Sequence, residues 1–600
     1  MISETDFLSS QQPKAWDGKK DLAEKELARY ERLKTYRNTV FQSPWQTLSN
    51  YYLPNLSDIN TTKMEGTEGW SDRIFDTTAI EDARTCTTGQ ANWATPAAEP
   101  WFIWGPPKSL NMEEDDDGAI WCGNCTEIAL DELSRSNYYQ QSGTQYKSRT
   151  VFGTGHMHIE EGRNRLINCS TRKIGTYCID KNDEDDVDTI YAEYELSARQ
   201  AVQKFGVEHL GEKCRKAFES NDGKQMDSKF TFVHAIRPRE EVERVAGKID
   251  AENKPIASVY ISVEDKWCVR VGGYDEMPDS VTRFDDWGTG SVWGYSPAFE
   301  TLPNVRQLNY IVRFMDAQYE LRANPRILAP IHLFGQMDLR PGGITPFDPN
   351  KGGELGLPRE WMTQADIKST ADSVLGKQNG VHRMFYVDVF KALAKMQEQY
   401  KRPPTAMEIQ AVLGESLQQL SPMFGRILTE KTSVDLKRIF GILFRAGKFP
   451  KPPKSMYVPV PGSRNQLRLA MPETTYTSRL ALALRSLQNK AMTDWMAFVS
   501  ELSKNMNRPE LLDNWDLDAM VRTGAINQGM SARFERPMRQ VIQLRAARAK
   551  QQQQERSMAM AEQAAKAAGH LGKAPQELQQ KVSDSIPDQS NVVPMESAVA

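Results

Sequence analysis

Apolar residues recur at helical spacing in residues 302–323. Alternating steps of three and four place one stripe of side chains on the same face of a helix about 30 Å long. The stripe consists of Val305, Leu308, Val312, Met315 and Tyr319. Pro325 ends the pattern, and a second helical stretch runs from Ile367 towards Phe390. The intervening residues, 325–366, are rich in Gly and Pro, which predicts short strands and turns between two helices.

The chain before residue 300 has a mixed pattern. Residues 15–53 predict a charged helix followed by a helix that aromatic residues anchor. Further along, β-rich runs such as 259–263 and 267–271 lie among helical patches such as 197–204. We therefore expect an α+β fold.

A well-specified helix start follows the two predicted helices. Thr405 comes directly after Pro403 and Pro404, and its hydroxyl suits an N-cap, while Glu408 completes a capping box. The apolar stripe of this helix comprises Leu413, Leu417, Leu420, Phe424 and Leu428. Pro422 is expected to kink or divide it.

The C-terminal part of the chain also has a helical pattern. Helical spacing returns in residues 480–487, 495–502 and 541–548. Residues 507–509 and the pair Thr523-Gly524 are expected to separate these helices. Residues 549–570, with their Gln, Ala and Met, predict a long helix, and the polar residues 571–600 predict a disordered tail.

Composition narrows the class of protein. The 600 residues predict roughly two to four packed units. A net charge of -4 with 26% charged residues indicates neither a strongly basic nucleic-acid binder nor an acidic disordered chain.

No apolar run is long enough to span a bilayer, and residues 1–6 lack the features of an export signal, so we expect a cytosolic protein without a membrane segment. Seven scattered cysteines fit a reducing compartment without disulfides.

One pair of cysteines has the spacing of half a zinc site. Cys122 and Cys125 could combine with His156 and His158 to give four ligands. An extended segment would put both histidines on one face, but the sequence does not determine whether that face meets the cysteines. Because a single such pair is common by chance, structural thiols are the favoured interpretation and no metal is expected.

Motifs for catalysis are absent from the sequence. Gly153-Thr154-Gly155 resembles a fragment of a phosphate loop, but no Gly-Lys-Ser/Thr follows, so a turn packed against another backbone is favoured. No Gly-x-Ser-x-Gly marks a nucleophile. The acidic runs 113–117 and 183–186 lack calcium-loop spacing and are interpreted as solvated loops. No catalytic residue and no cofactor are expected.

Two groups of cations are candidates for contact with nucleic acid. The first comprises Lys391, Lys395, Lys401 and Arg402. The second comprises Arg533, Arg536, Arg539, Arg545, Arg548 and Lys550, with Glu535 among them. Both groups could contact phosphates. A solvated face is the favoured alternative for the first group, and the polar face of a packed helix is an equal alternative for the second.

Several blocks of the sequence follow one another in a characteristic order. Towards the N-terminus they are residues 45–54, 75–79, 94–102, 151–155 and 159–161. The middle blocks are Tyr295-Ser296-Pro297-Ala298, Asn324-Pro325-Arg326-Ile327-Leu328, Pro341-Gly342-Gly343-Ile344, Thr405-Ala406-Met407-Glu408 and residues 430–450. Over roughly residues 15–550, this order resembles the head-to-tail connector, or portal, proteins of short-tailed bacteriophages.

The resemblance implies a portal fold with an α/β wing, a two-helix stem, a small α/β clip, a helical crown and a C-terminal helical barrel. The implied boundaries are wing 1–300, first stem helix 301–324, clip 325–366, second stem helix 367–388, tunnel-loop region 389–404, wing return helices 405–470, crown 471–548, barrel helix 549–570 and tail 571–600. The first group of cations would then approach the DNA tunnel.

The same resemblance implies a function and partners. Such a chain forms a ring, typically a dodecamer, at one capsid vertex of the virion after assembly in the host cytoplasm. Double-stranded DNA passes through the ring during packaging and ejection, and the ring meets a terminase motor, a tail adaptor, and capsid and scaffolding proteins. Two alternatives remain open from the residues alone: a metal-dependent nuclease that uses the scattered carboxylates, and a soluble oligomeric scaffold without DNA passage.

Overall fold

The protein combines helices with antiparallel sheets in a computed structural model. The model describes residues 19–56, 59, 74–107, 116–162, 164–220, 223–240, 243–244, 250–323, 325–328, 335, 337–338, 359–361, 367–391, 420, 422–459, 467–477, 479–506, 508, 514–527, 536 and 538–571. The expected α+β class is confirmed. The predicted capping box at Thr405 and Glu408 and the predicted tail beyond Leu571 lie outside the described residues.

Helices occur along the whole described chain. In order they are α1 Lys20–Val40, α2 Gln42–Tyr52, α3 Thr78–Ala94, α4 Asp116–Arg135, α5 Tyr138–Phe152, α6 Ala198–Phe205, α7 Glu212–Glu219, α8 Gly223–Met226, α9 Pro297–Ala323, α10 Ile367–Met384, α11 Val387–Phe390, α12 Ser433–Arg445, α13 Arg479–Asn505, α14 Leu517–Asn527 and α15 Met538–Leu571.

Strands lie mainly between α3 and α9. In order they are β1 Phe102–Gly105, β2 Thr154–Glu161, β3 Ile167–Arg172, β4 Tyr177–Lys181, β5 Val187–Ser197, β6 Lys229–Pro238, β7 Ile256–Ser262, β8 Trp267–Tyr274, β9 Asp279–Arg283, β10 Asp285–Asp286, β11 Gly294–Tyr295, β12 Arg326–Leu328, β13 Arg359–Trp361, β14 Tyr457–Pro459, β15 Leu467–Leu469 and β16 Glu473–Tyr476.

Strands β4 to β8 form an antiparallel sheet in sequence order, with helices on both faces. Successive side chains of a strand point to opposite faces. On β6, Val233 therefore packs in the core beneath α1, next to Leu27 and Tyr30, whereas Phe232 packs with Phe205 of α6. The predicted charged N-terminal helix thus covers one face of this sheet. Helix α6 lies in the helical patch predicted at 197–204 and begins with a capping box at Ser197.

A second sheet, ordered β3-β2-β9, lies against α5. The turn between α5 and β2 requires glycine, because Gly153 has a φ of 83° and a Cβ there would lie 2.2 Å from the carbonyl oxygen of Gly294. The expected turn against another backbone is confirmed. Arg149 of α5 is buried, and its guanidinium donates to Gln90 of α3 and to the backbone carbonyls of Arg283 and Met423.

Helices α9 and α10 pack together as a hairpin. Between them β12 pairs with β13, with Arg326 opposite Trp361. The predicted order of helix, strand-bearing insert and helix is confirmed. The second helical stretch is interrupted, however, because Tyr386 adopts a left-handed conformation with a φ of 56° between α10 and α11.

The C-terminal part is helical. Residues 422–426 lead through a π-helical turn, Ile427–Thr432, into α12. Helix α13 ends at Asn505, beside the break predicted at 507–509. The separation predicted at Thr523-Gly524 is wrong, because both residues lie inside α14. A Cβ on Gly524 would lie 3.3 Å from the Met492 side chain of α13, so this glycine allows the two helices to approach closely.

Candidate functional site

The α9–α10 hairpin leaves the body of the protein gradually. At the start of the predicted stripe, Val305 and Leu308 are buried. Val312 and Met315, further along, are half-buried, and Tyr319 is 48% exposed. A helix whose apolar stripe becomes exposed along its length extends beyond the core that covers its first turns.

Polar contacts fasten the base of the hairpin. The side-chain oxygen of Asn309 accepts hydrogen bonds from the backbone N–H groups of Phe75 and Asp76, at 2.8 and 3.1 Å. Gln378 of α10 donates to the Asp76 carboxylate at 2.8 Å. The segment before α3 therefore joins both helices through one short network.

A histidine–carboxylate pair adds a second link between α10 and α3. The Nδ1 atom of His382 lies 2.8 Å from both carboxylate oxygens of the buried Asp82. Burial raises the pKa of Asp82, although hydrogen bonding to His382 acts in the opposite direction. Since the pair joins helices that are about 300 residues apart in sequence, it holds the hairpin base in a defined position.

Of the first group of predicted DNA-contacting cations, the structure describes Lys391. It follows α11 directly and its side chain is exposed. Phe390, the preceding residue, packs on α3 with its ring 6.1 Å from that of Trp93. Lys391 thus lies close to the hairpin base. Lys395, Lys401 and Arg402 lie outside the described residues.

The second group of cations lies mainly on α15. Arg545 donates two hydrogen bonds to Asp518 of α14, at 2.6 and 2.7 Å. These bonds raise the pKa of Arg545 and lower that of Asp518. Arg548 and Lys550 are exposed on α15. Arg545 therefore has a structural partner that the sequence did not indicate.

The other members of this group are described in part. Arg536 is exposed before α15, and Arg539 lies within α15. Arg533 and Glu535 lie outside the described residues.

The candidate zinc ligands take separate structural roles. Cys122 and Cys125 lie buried on α4, in a core with Trp104 and Phe440. Burial raises the pKa of the Cys125 thiol to about 12, which keeps it protonated at neutral pH. Within the described part of the chain, no cluster of three or more His, Cys, Asp or Glu side chains is arranged to hold a metal ion.

The two histidines of the candidate zinc site bind a carboxylate instead. His156 and His158 of β2 both lie against the same oxygen of Asp279 on β9, at 2.7 and 2.9 Å. Burial alone would raise the pKa of Asp279, but the two imidazoles outweigh burial and hold it well below its usual range. Burial lowers the pKa of His156. A nearby histidine, His234 of β6, also has a pKa well below its ordinary value because of burial.

A buried ion pair lies where the π-helical turn meets α12, and the sequence analysis did not find it. The ammonium group of Lys431 is 2.8 Å from the Asp435 carboxylate, and both side chains have an exposed fraction of 0%. Tyr138 donates to the same carboxylate oxygen at 2.9 Å, and Ser142 lies 3.1 Å from the ammonium group. In sequence the pair has the i, i+4 spacing of a solvated helix face, so the pattern alone gave no signal of burial.

None of the helices that the structure describes combines the length and the apolar character that crossing a bilayer requires.

The chain is similar to known phage proteins over most of its length. It is 26% identical over 556 residues to a portal protein of Salmonella phage epsilon15, which covers 91% of this chain and 95% of that protein. It is also 26% identical over 568 residues to a probable portal protein of Bordetella phage BPP-1, covering 93% and 97% of the two chains. Residues 23–534 match the family described as bacteriophage head to tail connecting protein. This match contains the sheets, the α9–α10 hairpin and α12 to α14, and the chain therefore belongs to the bacteriophage head to tail connecting protein family.

Proposed function

We propose that the chain is a portal subunit, whose ring occupies one vertex of a bacteriophage capsid and passes double-stranded DNA during packaging and ejection. The family match over residues 23–534 carries this proposal, because it spans the whole body and the hairpin. Alignment with proteins named portal protein over more than nine-tenths of the chain supports it. The ring has twelve copies in this proposal, and it is assembled in the host cytoplasm and retained in the virion.

The parts of a portal are assigned along the chain as follows. The wing is 1–300, with return helices in 405–470; the stem is 301–324 and 367–388, with the clip 325–366 between them; the tunnel-loop region is 389–404; the crown is 471–548 and the barrel helix 549–570. The α9–α10 hairpin with its β12–β13 pair supports the stem and clip. In this assignment the clip contacts the terminase motor and the tail adaptor, and the wing contacts capsid and scaffolding proteins.

DNA contact in this ring is electrostatic and loose. Lys391, Lys395, Lys401 and Arg402 are proposed to face the DNA. Lys391, which the structure describes, lies close to the hairpin base. Exposed cations of α15 such as Arg548 form a second candidate contact. A near-neutral chain with local basic groups suits a channel through which DNA must slide, since tight phosphate binding would hold it in place.

The chain is proposed to act without catalysis of its own. The sequence has no phosphate loop, so ATP hydrolysis is assigned to the terminase motor. Incubation of the purified chain with DNA and Mg²⁺ or Mn²⁺ tests this assignment. Hydrolysis of DNA that disappears on substitution of carboxylates would contradict it and favour a nuclease.

Electron microscopy tests the ring directly. The full chain, expressed with its shell and scaffolding proteins, should give closed rings with an axial hole wide enough for duplex DNA. A chain that stays monomeric in the presence of those proteins would refute the proposal. Rings without an axial hole would instead favour an oligomeric scaffold that does not pass DNA.

Deletion of residues 326–366 tests the clip assignment. The body should keep its fold, because its cores lie in other parts of the chain. Ring closure or motor docking should be lost. DNA packaging by the truncated protein would show that the clip boundaries are wrong.

A further inference from the structure

Two aromatic side chains lie uncovered on the outer face of α9. Tyr310 is 70% exposed and Phe314 is 54% exposed. Their rings stack with centroids 6.4 Å apart and an interplanar angle of 12°. We call this pair the outer aromatic face. Large aromatic residues are the side chains that most often anchor protein interfaces, and here two of them stand one helical turn apart.

The side of α9 that packs on the body lies opposite the outer aromatic face. A helix advances about 100° per residue, so Tyr310 and Phe314 point away from the side that carries Val305 and Leu308. Those two residues are buried. At the edge of the outer aromatic face, the guanidinium of Arg313 lies 5.4 Å from the ring of Phe75, which is 40% exposed. The face therefore combines apolar area with positive charge.

Helix α10 exposes an apolar side chain and a carboxylate at about the same distance from the tip of the hairpin as the outer aromatic face. Lys377 of α10 donates to Gln307 of α9 at 2.7 Å, which fixes how the two antiparallel helices align. Tyr310 lies three residues nearer the tip of the hairpin than Gln307, and Leu375, which is 57% exposed, lies two residues nearer the tip than Lys377, so the two side chains are level to within about one residue. About three residues further, Arg313 is level with Asp372, an exposed carboxylate.

We infer that the outer aromatic face of α9 is the seat for α10 of a second copy of this chain. Tyr310 and Phe314 contact Leu375 of the neighbouring copy, and Arg313 lies opposite its Asp372. The inference rests on the proposed ring. Neighbouring copies in a ring are related by rotation about its axis, which leaves the position of every residue along that axis unchanged. If the hairpin runs along the axis, residues of α9 and α10 that are level within one copy are therefore also level between neighbouring copies. The contact is head-to-tail: each copy presents α9 to one neighbour and α10 to the other.

Engineered disulfides test this contact. All seven native cysteines are buried, so background cross-linking should be low. Rings of Y310C/L375C, oxidised and separated on a non-reducing gel, should give a ladder of covalent multimers. A mixture of Y310C and L375C copies should give dimers, whereas either variant alone should stay monomeric, because a head-to-tail contact does not bring identical residues together. Y319C/L375C is the control for non-specific cross-linking: Tyr319 is also exposed, but it points to the opposite side of α9 and lies nine residues nearer the tip, and it should give less than about a tenth of the cross-linking.

Charge exchange gives a second readout that needs no oxidation. R313E and D372R should each raise the subunit concentration needed for rings by roughly fivefold or more, and R313E/D372R should restore it to near the original value, because the double variant re-forms the opposite-charge pair in every interface.

The outcomes separate this inference from the proposed function. Failure of the unmodified chain to form rings, with shell and scaffolding proteins present, would overturn both. Rings of Y310C/L375C without a ladder, or cross-linking of Y310C alone, would overturn the head-to-tail contact and leave the portal function standing. Equal ring formation by R313E, D372R and the unmodified chain would overturn the pairing of Arg313 with Asp372.

Discussion

Replacement of Lys431 by methionine should destabilise the body of the protein far more than loss of an exposed lysine. Methionine keeps most of the apolar stem but removes the ammonium group. The Asp435 carboxylate, with an exposed fraction of 0%, would then keep the Tyr138 hydroxyl as its partner and lose its counter-ion. Breaking a buried pair in this way typically costs about 3–5 kcal/mol.

Native-state hydrogen exchange of the amides in α12, Ser433–Arg445, measures the effect. At pH 7, a loss of about 4 kcal/mol corresponds to exchange about a thousandfold faster, after correction for intrinsic rates. K448M is the matched control. Its ion pair with Glu132 is half exposed on the lysine side, so exchange should change by less than about fivefold.

The double variant K431M/D435L completes the test. It removes both charges and should recover most of the lost protection, because a buried pair can be replaced by apolar side chains at little cost. Equal exchange rates in K431M and K448M would refute the role of Lys431 as a buried counter-ion.

Two further predictions concern the sheets. G153A should lower the free energy of unfolding by more than about 2 kcal/mol, because a Cβ would meet the Gly294 carbonyl at 2.2 Å and φ at this position is 83°. G105A is the control and should be nearly neutral, because no atom lies within 4 Å of the added Cβ. Equal denaturation midpoints for the two variants would contradict this prediction. The unmodified protein should lose stability between pH 7 and pH 5, because the pKa values of His156 and His234 are lowered in the folded state while the unfolded chain takes up protons. Each of these two histidines contributes up to about 2 kcal/mol of this loss. H234Q should therefore make the unfolding free energy less dependent on pH. An unchanged slope would contradict the role of His234 in the pH dependence.

Local patterns predicted the long elements well. The three-four spacing of Val305, Leu308 and Val312 identified α9, and the Gly- and Pro-rich composition of the insert predicted short strands. These signals succeed because periodicity and backbone restriction act within a few residues. Which end of the stripe is buried could not be predicted, because the exposure of Tyr319 depends on how far the body extends beneath the helix.

Structural features that depend on tertiary contacts were not predicted from the sequence. Thr523-Gly524 was expected to break a helix, yet Gly524 is tolerated because it lets α14 approach Met492. Tertiary packing here outweighs the low helix propensity of glycine.

The polar clusters show the same limitation. Asp279 is more than 120 residues from the histidines that it binds, and Asp518 is 27 residues from Arg545. Nothing in the local pattern around His156 or Arg545 indicates these partners, because the fold brings them together. Lys395 and Arg402, two of the cations predicted to contact DNA, lie outside the described residues, so their assignment stays a prediction.

An electron cryomicroscopy map of the particle assembled with its shell and scaffolding proteins would show whether the chain forms a portal ring. We expect a closed ring of twelve copies in which the α9–α10 hairpins surround an axial channel. A ring whose hairpins lie on the outer rim, or a particle without an axial channel, would contradict it.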